Sequence, residues 1–497
     1  MSRINTTIAI FGIILFALLG AKWMVTYSLW DDEANTALFA QSVHDTGDTS
    51  AVIGHNIIAF RNGAELNENK KSRYVSPLQY YFLAPFIDLH HPDPFQARLP
   101  FLILTLISLA LIYWRLIKIN LPTPLLCAFF LLSFGLTSFL LFGIQCRYYA
   151  LTLFFTLLLS DQYWFSKMES RAQFFRFGLV SALLFISNYL IGVAVLASLF
   201  AHYFFVKKGE IKQLWAFFIP HFFISLPVFL IWNPLGKKVV ELKNSPLDKL
   251  NLLFRNIRDF NGGHLGSLLL LLGGMFLFQK HSQKRFKDYG LIFIIYLTAI
   301  SVFSPQPVHG TGLADIRYLY PLMLLSFAWT LDFFNLLLIK NKYIFIVTVI
   351  IFSLFSLPYS GEIRFHLAEL IEELQHPADD PYQKVSTELN KLQQLEATHQ
   401  TLVTSLDYAA YPLMYLSPQF KYPQSEIVSA PEYMIQFCDS SLRTDLENRF
   451  FVHYQKIATI QSTCREAFRP EVFLRSFGRN QSKGTIGIYK LSSHPIH

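Results

Sequence analysis

Charge and cysteine are scarce in this sequence, and both shortages exclude whole classes of protein. Charged residues make up 15% of 497 positions, against roughly 25% in soluble domains. With 53% hydrophobic residues, the chain cannot hide its apolar surface in one soluble core. A cytosolic enzyme and a disordered chain are therefore excluded. The four cysteines, at 127, 146, 438 and 464, are too few and too scattered for a zinc cluster or a disulfide scaffold. Internal repeats and low-complexity linkers are absent. Mid-span charge, which costs roughly 2.5–3.5 kcal/mol per residue on insertion scales, is nearly absent too. His221 is the main polar residue near a span centre and reads as a packed, neutral imidazole.

What is present is a series of apolar runs, each long enough to cross about 30 Å of hydrocarbon. Spans are expected near 8–27, 98–117, 123–143, 147–166, 173–188, 190–206, 212–233, 263–280, 288–304, 317–339 and 342–358, eleven in all. Residues 77–87 are too short to span and suit a helix lying in the interface. The first run reads as a retained anchor, because no small-x-small cleavage site follows it.

The net charge of +8 is a matter of membrane topology, not of nucleic-acid binding. With the N-terminus inside, each inside loop is basic: Arg3, Arg115 and Lys118, Lys167 to Arg176, Lys207 to Lys212, Lys280 to Lys287, and Lys340 with Lys342. The positive-inside rule then puts the long loop 28–97 and everything after 359 outside. The expected fold is a polytopic α-helical membrane domain over 1–359, including outer loop 28–97, and a small soluble α/β domain over 360–497. In the tail, helices are expected at 362–375 and 381–397 and a strand at Thr401. A closing hairpin is expected from 472–477 and 485–489. Cys438 and Cys464 share this domain. On an oxidising side they can pair, and two buried thiols are the equal alternative.

The unusual charges gather on the outer side. Asp31, Asp32 and Glu33 follow the first span directly. Arg98, Arg147 and Arg317 begin the second, fourth and tenth spans, where the positive-inside rule places no cations, and His309 and Asp315 precede Arg317. Singly, each reads as an interfacial anchor or a solvated loop charge. Together, three arginines at one depth suit an anionic ligand, and an arginine fork beside apolar helices suits a lipid phosphate. The neighbouring carboxylates then serve as a general base or hold a divalent cation.

These residues resemble a known family. Trp30-Asp31-Asp32-Glu33-Ala34 resembles the acidic motif in the first outer loop of GT-C fold glycosyltransferases. The similarity is to the family 39-like group, which includes protein O-mannosyltransferases and lipid A aminoarabinose transferases. Phe60-Arg61-Asn62-Gly63 resembles the middle of that loop. Ser76-Pro77-Leu78-Gln79-Tyr80-Tyr81 resembles a Pro-Pro-Leu-x-Tyr-Tyr segment, with Ser replacing the first Pro. Ala97-Arg98-Leu99-Pro100, Arg147-Tyr148-Tyr149-Ala150 and Arg317-Tyr318-Leu319-Tyr320-Pro321 follow in the order the resemblance requires. It covers residues 1 to about 360.

The resemblance implies a polyprenyl-phosphate sugar donor and an acceptor lipid, glycan or protein on the outer face of the membrane; the many Phe residues and short loops suit a bacterial inner membrane, whose outer face is periplasmic. Transfer would proceed with inversion. Asp32 would be the general base, with Asp31 and Glu33 orienting it or binding a divalent metal; no other cofactor is indicated. Arg317, with Arg147 or Arg98, would hold the donor phosphate. Tyr80, Tyr81, His309 and Tyr318 would line the substrate. The alternatives are a lipid-linked glycan transporter or flippase, and a polymerase or ligase using a lipid-diphosphate-linked glycan. A transporter calls for half-repeats, broken helices and midplane polar sites, which the sequence does not display.

Overall fold

A computed structural model describes residues 3–58, 66, 68–73, 75–88, 93–118, 120–135, 137–165, 169–209, 214–232, 245–263, 284–304, 317–340, 343, 375–377, 379–393, 400–405, 409–422, 429–438, 440–464, 469–470 and 483–492. The chain opens with helix α1 (Arg3–Thr26), followed by α2 (Asp31–Thr46) and a two-residue hairpin of β1 (Val52–Ile53) and β2 (Asn56–Ile57). Then come α3 (Leu78–Leu83), α4 (Pro94–Lys118), α5 (Thr123–Gly135), α6 (Thr137–Ile144) and α7 (Tyr148–Phe165). The later apolar helices are Arg171–Ser187, Tyr189–Phe205, Lys284–Phe303 and Met323–Lys340, with a bent run over Trp215–Trp232 between them.

Among the described residues, four helices are long and apolar enough to cross a membrane, and a fifth forms if the bent pair α6–α7 is one span. The chain is an integral membrane protein. The expected spans 263–280 and 342–358, and the expected helix 362–375 apart from Gln375, lie outside the described residues. Two differences from the sequence expectation stand out. The expected span 123–143 is divided between α5 and α6, and the boundary expected between 143 and 147 is a bend of 103° between α6 and α7. Residues 246–263, expected as loop, form a helix whose Leu247, Leu250 and Phe254 are exposed. That spacing is an amphipathic stripe, which a search for unbroken apolar runs passes over.

The chain divides into two compact units. The first comprises 1–20, 75–78 and 101–367; the second comprises 21–74, 79–100 and 368–497. In the first, Asp161 pairs with Arg115, and His221 lies in a π-helical turn, hydrogen-bonded to Ser181 Oγ (2.6 Å) and Ser225 Oγ (2.9 Å). Both polar groups inside apolar helices thus have side-chain partners, as burial demands.

The second unit gathers most of loop 28–97 and the tail. Its sheet has the order β3 (Leu402–Thr404), β4 (Tyr433–Phe437), β6 (Lys483–Leu491), β5 (Tyr454–Thr463). Strand β6 runs antiparallel to both neighbours. It therefore has no free edge over 486–490; residues 472–477, expected as the other strand of a closing hairpin, lie outside the described residues. Met434, Leu446, Tyr454 and Tyr489 form the core beneath this sheet. Cys438 and Cys464 form a disulfide with a Cα–Cα distance of 5.8 Å. Gly484 makes room for it, since a Cβ there would lie 2.6 Å from Cys438 Sγ.

Loop 28–97 is tied to the tail within this unit by buried polar contacts. Asn56 Nδ2 donates to Phe420 O (2.9 Å), and Tyr422 N–H donates to Asn56 Oδ1 (2.8 Å). Helix α2 packs against the short helix Ala410–Leu416.

Candidate functional site

Helix α2 carries the acidic motif in its first turn. Its interior carries Ala34, Ala37, Leu38 and Ala40, which favour helix, and Gly47 ends it in the left-handed region (φ 75°), where glycine carries no Cβ penalty. Carboxylates at the N-terminus sit beside the unsatisfied N–H groups and the positive end of the helix dipole. Glu33, three residues beyond the N-cap Trp30, accepts weakly from the Trp30 N–H (3.4 Å), half of a capping box.

The three carboxylates do not share one environment. Glu33 and Arg98 are both fully buried. Arg98 grips Glu33 as a fork, Nε to Oε1 at 2.9 Å and Nη2 to Oε2 at 2.6 Å. The remaining guanidinium donors go to carbonyls: Nη1 to Tyr27 O (2.5 Å) and Met24 O (3.5 Å), and Nη2 to Ser28 O (2.7 Å). All five N–H directions of the guanidinium are thereby used. Asp31 and Asp32 remain half-buried at the helix start.

Both Glu33 oxygens face Arg98, so the motif does not fit a three-carboxylate cation site. Among the described residues no group of three or more His, Cys, Asp or Glu stands where it could hold a metal ion.

Two of the expected substrate contacts lie along α2. Tyr80 is buried and packs its ring 5.4 Å from that of Phe39. Tyr81 donates to Gly47 O (3.3 Å). That is the far end of α2, about 20 Å from Asp32 at 1.5 Å per residue. The structure therefore does not bring Tyr81 to the carboxylates. Burial raises the Tyr81 hydroxyl pKa, and the nearby Asp48 adds to this.

Asp48 itself anchors the loop. Arg73 Nη1 reaches its Oδ1 at 2.6 Å, and Lys71 Nζ its Oδ2 at 2.6 Å. Partial burial pushes this carboxyl up, but hydrogen bonds from Arg73, Lys71 and the Thr49 N–H outweigh it and hold it well below the usual carboxylate range.

The other two arginines belong to the first unit. Arg147 lies at the break between α6 and α7, one residue before α7 begins. It is nearly buried, at the positive end of an 18-residue helix. Such a half-helix N-terminus inside a membrane protein attracts anions. Arg317 opens the turn that leads into helix Met323–Lys340. The two guanidinium groups and the rings of Tyr149 and Tyr318 all lie within electrostatic reach of Tyr148. Arg147 stands 5.6 Å from the Tyr148 ring centre and Arg317 5.1 Å from that of Tyr318.

The turn is held from behind. Tyr296 OH donates to Tyr318 O (2.5 Å), and Tyr320 packs against Phe139, Phe142 and Tyr149. Arg147 and Arg317, 170 residues apart in the chain, thus form one cationic, tyrosine-walled cluster. His309 and Asp315 lie outside the described residues.

Sequence reasoning missed Tyr149, Tyr320 and Tyr296. The first two sit inside the Arg147 and Arg317 motifs and could have been drawn from them. Tyr296 lies in an apolar run with no local signal.

A comparison with solved structures identifies the fold. The chain is similar to ArnT from Cupriavidus metallidurans bound to undecaprenyl phosphate, with a TM-score of 0.58 and 11% identity over 97% of this chain and 98% of that one. The fold is GT-C-like. A second similarity, to the Archaeoglobus fulgidus oligosaccharyltransferase in complex with Zn and sulfate, has a TM-score of 0.40 and 10% identity, over 86% of this chain and 67% of that one. No protein-family profile matches the chain, and no curated protein sequence matches it.

Proposed function

We propose that the protein is a membrane glycosyltransferase that moves a sugar from a polyprenyl-phosphate donor to an acceptor on the periplasmic face of a bacterial inner membrane, with the N-terminus cytoplasmic and the tail periplasmic. The observation that carries this reading is the cluster of Arg147 and Arg317 at a helix N-terminus among tyrosine rings. Two guanidinium groups and a helix dipole suit a phosphate, and tyrosine faces suit the apolar and sugar groups attached to it. The likeness to a GT-C structure bound to undecaprenyl phosphate supports a polyprenyl phosphate as that ligand.

In this reading Asp32 is the general base. It takes the proton of the acceptor hydroxyl as that oxygen forms a bond to the anomeric carbon. The bond from the anomeric carbon to the phosphate oxygen breaks, and polyprenyl phosphate leaves with the electron pair. Arg317 and Arg147 stabilise the charge that develops on it. Attack opposite the leaving group inverts the anomeric centre. Arg98 has a different task from the one its sequence position suggests: its guanidinium orients Glu33 and the segment before α2 and does not bind the donor phosphate. The disulfide Cys438–Cys464 supports an oxidising compartment for the tail.

The test is transfer of labelled sugar from polyprenyl-phosphate donors by the purified protein with lipid and acceptor extract. Arg317→Ala is expected to lower kcat by about 10²–10³, and Asp32→Asn by about 10²–10⁴. Unchanged turnover in Asp32→Asn would remove it as the base. Absence of turnover and binding with every donor would refute the reading.

A further inference from the structure

The acidic turn of α2 is connected to the tail through one buried side chain. Asp380 is nearly inaccessible to solvent, and its carboxylate faces two ways. Oδ1 accepts from the N–H groups of Tyr382 (2.9 Å) and Gln383 (3.2 Å), capping the helix Pro381–Gln393. Oδ2 accepts from the Ser28 N–H (2.5 Å) and, with Oδ1, from the Ser28 hydroxyl (2.7 and 2.8 Å). The Ser28 carbonyl in turn accepts from Arg98 Nη2, which also holds Glu33 Oε2. Glu33 lies in the same helical turn as Asp31 and Asp32.

Four residues from three remote parts of the chain thus form one chain of charge-assisted hydrogen bonds in a buried place. Such bonds are short and strong, and each loss leaves a buried donor or acceptor unmatched. The capping role alone does not require contact with Ser28, 352 positions away in sequence.

We infer that Asp380 is a positioning residue for the transfer reaction: through Ser28, Arg98 and Glu33 it fixes the start of α2 and hence the direction of the Asp32 carboxylate. This rests on the reading of Asp32 as the general base. It assigns the tail a part in catalysis beyond that of an attached domain. A displacement of about 1 Å at a reacting group can cost about a hundredfold in rate, so a small relaxation of residues 28–33 is enough to be measured.

The experiment uses the full-length protein in lipid nanodiscs. Amide exchange over 28–34 and sugar transfer from labelled polyprenyl-phosphate donors are measured for wild type, Asp380→Ala, Ser28→Ala, the double variant and Asp32→Asn. Asp380→Asn is the conservative variant: its oxygen can keep the helix cap and its NH2 can donate to the Ser28 hydroxyl, but the acceptor for the Ser28 N–H is lost. The expected result is roughly tenfold faster exchange over 28–34 in Asp380→Ala and a smaller rise in Ser28→Ala, with exchange across β5 and β6 unchanged. The expected kinetic result is a fall in kcat of about ten- to a hundredfold at constant KM for the donor. The double variant should be no worse than Asp380→Ala.

If Asp380→Ala does not fold, Ser28→Ala carries a milder form of the test: it removes the hydroxyl bonds to both Asp380 oxygens, keeps the backbone N–H bond and leaves the cap intact, so the rise in exchange is expected to be smaller than in Asp380→Ala. Unchanged exchange over 28–34 would overturn the inference. So would unchanged kcat in variants whose exchange has risen, while Asp32→Asn is inactive; the glycosyltransferase reading would then stand. Full turnover in Asp32→Asn would overturn that reading, and with it the role given to Asp380, whatever the exchange shows.

Discussion

Arg98 and the pair Arg147 and Arg317 give the same signal in the sequence, a cation at the start of an apolar run on the outer side. The structure separates them. Arg98 is fully buried, forked onto Glu33 and bound to the carbonyls of Tyr27 and Ser28. Arg147 and Arg317 stand beside tyrosine rings, one at a helix break and the other in a turn. An arginine with a buried carboxylate opposite it stabilises a fold. The reading proposed for the arginine cluster at a helix N-terminus is that it holds the donor phosphate. The position of a cation at the start of an apolar run does not by itself separate these two arrangements.

The sharpest way to break this contrast is to remove each arginine and separate stability from activity. Arg98→Ala leaves Glu33 as a buried uncompensated charge, which costs about 3–5 kcal/mol. The expected outcome is a large fall in unfolding temperature and in yield. Arg98→Lys restores little, since one ammonium cannot reproduce the fork. Arg147→Ala and Arg317→Ala should fold normally. An Arg98→Ala protein as stable as wild type would erase the difference between the two kinds of site.

A smaller effect concerns the tail. Replacing Cys438 by Ser opens a loop between residues 26 positions apart, for which chain-entropy estimates give about 3 kcal/mol. The loss should appear as earlier unfolding of the sheet β3–β6, with the helices of the first unit unaffected. Melting of the sheet at the wild-type temperature would contradict a stabilising role for the disulfide.

The smallest effect is one of pH. The Asp48 carboxyl is held below its ordinary value of 3.8 by Arg73 and Lys71. A lowered pKa in the folded state means stability that is fully present above about pH 4 and lost as the pH falls further. Asp48→Asn should therefore remove about 1 kcal/mol at neutral pH and flatten the acid limb of the stability curve below pH 4. Burial raises the Asp380 carboxyl pKa, against the pull of the Ser28 and helix N–H hydrogen bonds. Its contribution therefore has the opposite sign: present at low pH and diminishing as the pH rises above 3.8. Equal acid limbs for wild type and Asp48→Asn would show that the loop clamp has no part in acid stability.

Much of this architecture is legible in the sequence, because its strongest signals are one-dimensional. Apolar run length locates helices at 3–26, 94–118 and 189–205 within a few residues, and the interfacial segment 77–87 is a short helix followed by a 3₁₀ turn. The arginine and tyrosine motifs at 147 and 317 mark residues that the structure gathers into one cluster. What escapes is whatever depends on partners far along the chain. Nothing near Arg98 announces Glu33 as its partner, and nothing in the stretch Asp379-Asp380-Pro381 announces Ser28. The division of 123–143 into α5 and α6 is hidden because apolar composition continues on both sides of it. The partners of β6 escape for the same reason: β4 and β5, which hold its two edges, are remote from it in the chain.

The most direct test of the central claim is equilibrium binding of undecaprenyl phosphate to the purified protein, without acceptor, in wild type, Arg147→Ala, Arg317→Ala and Asp32→Asn. The account predicts that each arginine variant binds at least about tenfold more weakly, from the loss of one charge-assisted contact, and that Asp32→Asn binds as wild type does. Equal affinity in all four proteins would contradict the assignment of the Arg147–Arg317 cluster to the donor phosphate.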